Sequence, residues 1–420
     1  MTLKTQCGLF FPGARMQLFF IWTLVALSFA DTGAAQDLKP STSWRKPNIT
    51  TSKDECISIA SAALEKAISN LTPDGMFGGT FLSFTVLFNI FRTFVSHSDS
   101  TYGTPGRLYA QMVEFDRLTN QTKYKDMLKH YFVLAELEKP GFMDVFVSPI
   151  DYGLSYGYAA AHAYTTYQDN DFLDWAVTSW TSGRLYTISE SQAALGIMDK
   201  KQFNMSSSCQ DTTMAGGTFW SNDTNEPTLN SLNSGSFFIV SALLAEATSN
   251  ETYLNASMES ANFLQSDLLN LDNNIMLFSI SSKLSDSCLV ESAMYLYDSA
   301  VFVEGLAILA SITSSASTEA LLCSTAIAIV SDSEIWQGID GVIDTMDLGG
   351  HYVLHALAAV YEHNTTSSDL CEYIEGYIVQ YNAVIEQATS GGSNIYGVPW
   401  TGLGLCTILY TVYSRIATVQ

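Results

Sequence analysis

Asp151-Tyr152-Gly153-Leu154-Ser155-Tyr156-Gly157, running into Tyr158-Ala159-Ala160-Ala161, is the stretch on which the reading of this chain turns. An acidic residue opens the segment, and small residues then recur where a helix needs close neighbours. A helix so poor in bulky side chains is expected to be an inner one, packed on several sides. Taken alone, an aspartate at a helix start is more often a cap than a nucleophile.

Working outward, apolar residues recur at three and four from Ile57 to Ile68 and again from Phe81 to Val95. Further helices are expected near 101–118, 123–136, 150–167, 171–182, 230–247, 251–270, 292–312, 317–331, 350–362, 367–388 and 401–418. Strand signals are few. Several hairpins turn on a polar cluster followed by an apolar anchor, as in Thr119 to Tyr124, Gln168 to Leu173, Ser249 to Leu254 and Asn364 to Leu370. The Asn, Asp, Ser and Thr of each cluster are expected to cap the following helix. Repeated hairpins of unequal length fit an α/α toroid or a solenoid. No short regular period is visible, which favours the toroid. The longest irregular region is 184–229, and no linker separates two domains.

Composition narrows the partners. The chain is 47% apolar and 12% aromatic with a formal net charge of −23. That charge disfavours nucleic acid and anionic membrane surfaces. Neutral polar ligands such as glycans fit better. Lys4 and Arg15 precede the apolar run Leu18 to Leu27, and the small residues Gly33-Ala34-Ala35 follow. Residues 1–35 are therefore expected to be a secretory signal, cleaved near Ala35 or at Ala30, with Met16 an alternative start. No membrane association is expected after its removal. Residues 36–53 read as a polar lead-in, and 54–420 as one folded domain.

Two further features agree with secretion. Asn-x-Ser/Thr sequons begin at Asn48, Asn70, Asn120, Asn204, Asn222, Asn250, Asn255 and Asn364, and each is expected to mark surface. Cys7 would leave with the signal, and Cys56, Cys209, Cys288, Cys323, Cys371 and Cys406 form an even set suited to disulfides. Sequence does not fix the pairing. Cys209 with Cys288 is the expected bridge, since each lies in a loop flanking the 230–270 helical pair. Their spacing is not that of a zinc site, so no metal is expected, and no cofactor.

Five segments, in order, resemble glycoside hydrolase family 76, the endo-1,6-α-mannanase-like proteins. They are Asp151 to Gly157; Gly216-Gly217-Thr218-Phe219-Trp220; Leu232 to Phe237; Tyr297 to Gly305; and Gly391 to Gly397 with Trp400, the last similar to basidiomycete members. The resemblance covers about 54 to 404 and implies an (α/α)6 toroid acting on α-1,6-mannan. It also implies retaining hydrolysis, in which one carboxylate attacks the anomeric carbon and a second protonates the leaving oxygen. The family carries two adjacent aspartates at the head of the helix. Asp151 thus stands at the nucleophile position, and Tyr152 stands where the acid/base belongs.

A phenol is a poor proton donor and a worse base. Asp144 and Asp211 are the substitute carboxylates to consider. Tyr156, Gly216, Gly217, Phe219, Trp220, Asp298 and Trp400 are expected to bind substrate, the aromatics by stacking on sugar faces. The competing reading is a degenerate relative that binds mannan or another cell-wall glycan without cleaving it, and a third is a purely structural glycoprotein. An α/α-toroid terpene cyclase is disfavoured by the lack of Asp-Asp-x-x-Asp motifs.

Overall fold

A computed structural model describes residues 51–77, 102–144, 147–209, 211–331 and 349–363, together with residue 384. The described helices are α1 (Lys53–Ile68), α2 (Gly103–Thr119), α3 (Lys125–Glu138), α4 (Ile150–Tyr167), α5 (Asn170–Arg184), α6 (Glu190–Leu195), α7 (Ser231–Thr248), α8 (Glu251–Phe263), α9 (Leu296–Thr313), α10 (Ala316–Ser331) and α11 (Gly349–Glu362). The helices expected at Phe81 to Val95, 367–388 and 401–418 lie outside the described residues, as do Asn48, Asn364, Cys371, Cys406 and Trp400. The chain divides into two compact units. One takes residues 67–269 and 276–293; the other takes the residues before 67, 270–275 and those from 294 onward.

In the first unit, α4 is central. It packs on α2, α5 and α7, and its Ala159, Ala160 and Ala161 are buried, as the small-residue pattern predicts. α2 and α4 run parallel. Gly103 touches Tyr152 at their starts, and the Tyr167 hydroxyl donates to Asp116 Oδ2 at 2.8 Å at their ends. Asp116 also accepts the Tyr124 backbone N–H at 2.8 Å and so fixes the start of α3.

Capping works as expected at Asp169, which accepts from Asp171 N–H, and at Asn250, which accepts from Thr252 N–H. The Thr119 to Tyr124 cluster behaves differently. Asn120 ends α2 in the left-handed conformation at φ 53°, and α3 has no side-chain cap. Asparagine tolerates that conformation, so one residue type serves either end of a hairpin. Sequence did not point to α6, which is opened by Ser189 and Gln192 capping each other's backbone.

The irregular region is held by short antiparallel ladders. β1 (Ser208–Cys209) pairs with β2 (Thr212–Thr213). β3 (Thr228–Asn230) pairs with β4 (Ser279–Ser281), which pairs in turn with β5 (Val290–Glu291). Cys209 and Cys288 are joined across a Cα separation of 5.9 Å, the bridge expected from sequence.

Behind Cys209, the Thr212 hydroxyl faces both the Cys209 carbonyl at 2.5 Å and Asp267 Oδ1 at 2.7 Å. One hydroxyl hydrogen cannot serve both acceptors. Burial lifts the Asp267 carboxyl from 3.8 to about 6, against the opposing hydrogen bonds of Thr212 and Ser266. An acid whose folded pKa is raised costs stability as pH climbs between those values, and the cost persists above them. Asp267→Asn is therefore expected to stabilise the protein at pH 7 by about 1–2 kcal/mol, allowing for partial solvent screening. The gap should close below about pH 4, and melting curves of both proteins across pH 3–8 measure it.

In the second unit, α9 packs on α10 and α11. Val301, Phe302, Val303 and Leu306 of α9 are buried, and Glu304 faces His355 of α11 at 3.8 Å. Asp298 is fully buried in the first turn of α9.

Candidate active site

Three helix starts meet around Asp151. Pro149 precedes α4 in extended conformation and gives the helix no side-chain cap, so its first N–H groups take other partners. The Ile150 N–H donates to the carbonyl of Trp220 at 3.0 Å. Asn233, in the first turn of α7, donates its side-chain amide to the same carbonyl at 2.8 Å and to that of Phe219 at 3.1 Å. Trp220 is thus tied to both helix starts through its own backbone, and Ser221 pairs with Pro149 in a single antiparallel bridge. The Trp220 backbone therefore lies beside the first turn of α4, which carries Asp151 and Tyr152. Trp220 is half-buried, with part of its side chain exposed.

Asp151 lies in the first turn of α4, where the helix dipole favours a negative charge. Its side chain is only 6% exposed, and its Oδ2 faces Arg107 Nη2 at 3.2 Å. Burial raises the carboxyl above the ordinary range, while the Arg107 guanidinium and the Asp151 backbone N–H act to lower it. Burial dominates. Sequence reasoning missed Arg107. It stands alone in the Gly103-Thr104-Pro105-Gly106-Arg107 turn, 44 residues from its partner, and no spacing rule connects the two.

Tyr152 lies against the start of α2. A Cβ placed on Gly103 would fall 2.7 Å from the Tyr152 ring and 2.8 Å from its Cα, so only glycine lets the helices approach this closely. The residue beside Asp151 therefore carries a phenol where a second carboxylate is expected. Asp144 is paired with Lys139, whose ammonium also sits 4.5 Å above the Tyr102 ring. Asp211 is exposed in the β1–β2 turn, in left-handed conformation at φ 69°.

Several residues expected to bind substrate are core. Tyr156 is fully buried and donates to the Tyr102 carbonyl at 2.7 Å; burial pushes its phenol well above 10. Phe219 is 0% exposed, with the Lys201 ammonium 4.1 Å from its ring centroid. The Gly216-Gly217 pair serves packing. A Cβ on Gly216 would lie 2.1 Å from the Glu259 carbonyl oxygen of α8, and Gly216 sits at φ 93°. Its neighbour Gly217 is covered by Leu229 and Phe263. These glycines bring the loop close to α8. Asp298 belongs to the other compact unit.

Lys201 is the second residue that sequence did not flag. Lys201 is 7% exposed, and its ammonium donates to the carbonyls of Ser221 at 3.0 Å, Asp223 at 2.6 Å and Glu226 at 3.1 Å. Burial brings its pKa down to about 8, opposed by Glu226 and Asp223. The segment after Trp220 is folded around this one cation as a strap.

Comparison with known proteins agrees with this architecture. The profile of glycosyl hydrolase family 76 matches residues 95–332. The family 76 glycoside hydrolase of a bovine Bacteroides thetaiotaomicron strain superposes with a TM-score of 0.61, at 14% identity, covering 83% of this chain and 72% of that one. An inactive variant of an α-1,6-mannanase from Salegentibacter sp. HEL1_6, with two consecutive aspartates changed to alanine, was solved with α-1,6-mannotetrose. It gives 0.64 at 15% identity, covering 82% and 91%. Dfg5 from Chaetomium thermophilum, in complex with glucosamine, gives 0.60 at 16% identity, covering 85% and 84%. No curated protein matches in sequence. The shared fold is the (α/α)6 barrel expected from the sequence.

Proposed function

Glycosyl hydrolase family 76 is the family to which this chain belongs, and on that premise we propose that it is a secreted protein directed at α-1,6-linked mannan of fungal cell walls or glycoproteins. The glycan lies across Trp220 and Asp151. Asp151 holds the nucleophile position of a retaining mechanism, and Tyr152 fills the acid/base position. The protein binds mannan well and cleaves it slowly.

The observation that carries this reading is the pairing of Asp151 with Arg107 beside a phenol. A retaining glycosidase needs an anionic nucleophile and, about 5–5.5 Å away, a carboxyl that first gives and later takes a proton. Arg107 supports the charge on Asp151. The second group is Tyr152, which at neutral pH offers a hydrogen bond to a glycosidic oxygen but no ready proton. Asp144 is engaged with Lys139, so the obvious substitute is already paired. In the Salegentibacter mannanase, changing two consecutive aspartates together gives an inactive variant, which supports reading the head of this helix as the reacting centre.

The test is a binding isotherm on α-1,6-mannan beside a reducing-sugar assay. Trp220→Ala should weaken binding by about tenfold, equivalent to ~1.4 kcal/mol of lost stacking. Asp151→Asn should abolish the residual hydrolysis and leave binding largely intact. Fast turnover that survives Asp151→Asn would assign the chemistry to another carboxylate and end this reading.

A further inference from the structure

One sequon, Asn222-Asp223-Thr224, falls within the strap that follows Trp220. We propose that Asn222 is a clamp of the site and not a sugar acceptor, and that N-linked sugar is carried on the exposed Asn120, Asn204, Asn250 and Asn255. The acceptor half rests on the secretory reading given above. The clamp half does not.

Both ends of the Asn222 amide are committed. Its Oδ1 accepts the Ser148 N–H at 2.7 Å, and its Nδ2 donates to the Asp144 carbonyl at 2.8 Å. Its backbone N–H donates to the Ser148 carbonyl at 3.2 Å. Ser148 immediately precedes Pro149, the residue that opens the Asp151 helix, and Ser221 bridges to Pro149. One half-buried side chain therefore binds the strap carrying Trp220 to the segment that feeds Asp151. That makes Asn222 a positioning residue for both.

N-glycosylation is incompatible with this use. The anomeric carbon of a lipid-pyrophosphate-linked oligosaccharide bonds to Nδ2, the lipid pyrophosphate leaves, and one amide hydrogen departs as a proton. A pyranose on Nδ2 is too large for a half-buried amide lying between two backbone segments. Transfer precedes folding, so a chain modified at Asn222 cannot close the clamp and is lost from the folded secreted pool.

Asn120, Asn204, Asn250 and Asn255 are exposed, whereas Asn70 is half-buried. Among the described residues, the Asn250 side chain bonds through its Oδ1, accepting from Thr252 N–H, while its Nδ2, on an exposed residue, is a candidate for sugar. Asn120 and Asn250 follow the C-terminal ends of α2 and α7, of 17 and 18 residues. At 1.5 Å per residue they stand roughly 25 Å from the helix starts that form the site. Sugar there leaves the site open.

The experiment is glycopeptide mass spectrometry of the full chain secreted from a yeast host, together with two variants. Thr224→Val destroys the sequon and keeps the amide, whereas Asn222→Ala removes both. The expected result is sugar on the four exposed asparagines and an unmodified Asn222. Thr224→Val should match the parent in melting temperature and mannan affinity. Asn222→Ala should melt lower and bind mannan several-fold more weakly, or fail to be secreted. Sugar on Asn222 of the secreted protein overturns the proposal, as does a Thr224→Val variant that behaves like Asn222→Ala.

A chain retained in the cell with every sequon bare marks failure of the secretory reading, and the acceptor half falls with it. The clamp half is then decided on protein made in a bacterial cytoplasm, where no sugar is added. Equal melting temperatures for the parent and Asn222→Ala overturn it there.

Discussion

Tyr152→Asp raises the rate of α-1,6-mannan hydrolysis by about 10²–10⁴-fold, the usual contribution of a positioned general acid. The substitution places a second carboxyl beside Asp151 at the head of α4. Two carboxylates this close resist ionising together. Arg107 pairs with Asp151 at 3.2 Å, so of the two carboxyls Asp151 is the one favoured to carry the charge and the new group the one favoured to hold the proton. That division of roles is what the reaction needs. The natural protein should show a complementary signature. Mannosides with an activated leaving group need no protonation, so it should cleave them disproportionately well, at least through the first step. The check is a comparison of aryl mannoside and mannan rates for both proteins. Equal rates on mannan would show that Tyr152 does not occupy the acid/base position.

Loss of the Cys209–Cys288 bridge, by Cys209→Ala with Cys288→Ser, is expected to cost about 4 kcal/mol, since it closes a long loop in the unfolded chain. The sequence separation is 79 residues. For a domain of this size the cost corresponds to a fall in melting temperature of ~5 °C. The bridge ties the β1–β2 turn, just before Gly216 to Trp220, to the end of the β4–β5 connection. The destabilised protein should therefore lose mannan affinity at temperatures where its helices remain intact. Calorimetry and far-ultraviolet dichroism, run beside a binding isotherm, separate the two effects.

The helices were legible from sequence because their signals are local. The expected span 150–167 coincides with α4, and 230–247 differs from α7 by one residue at each end. The head of α4 was legible too, because an acid followed by small and aromatic residues at helical spacing carries its own register. What escaped depends on contacts far apart in the chain. Arg107 meets Asp151 across 44 residues, and Lys201 meets Ser221, Asp223 and Glu226 through backbone carbonyls, which have no sequence signature. Phe219 and Trp220 are adjacent, yet one is core and the other partly open, because consecutive residues of an extended segment point to opposite sides. Gly216 illustrates a different ambiguity. A glycine reports that something comes close, and here that is the α8 backbone.

The seating of Lys201 has a consequence for reactivity. Acylating reagents attack neutral, reachable amines, and the exposed lysines of the chain should react at ordinary rates. The Lys201 amine is turned inward over the Phe219 ring, with three carbonyls around it. It can be labelled only during moments when the strap has let go. Its labelling rate, read peptide by peptide against exposed Lys200, then becomes a clock for opening of the segment that holds Trp220, and bound mannan should slow that clock.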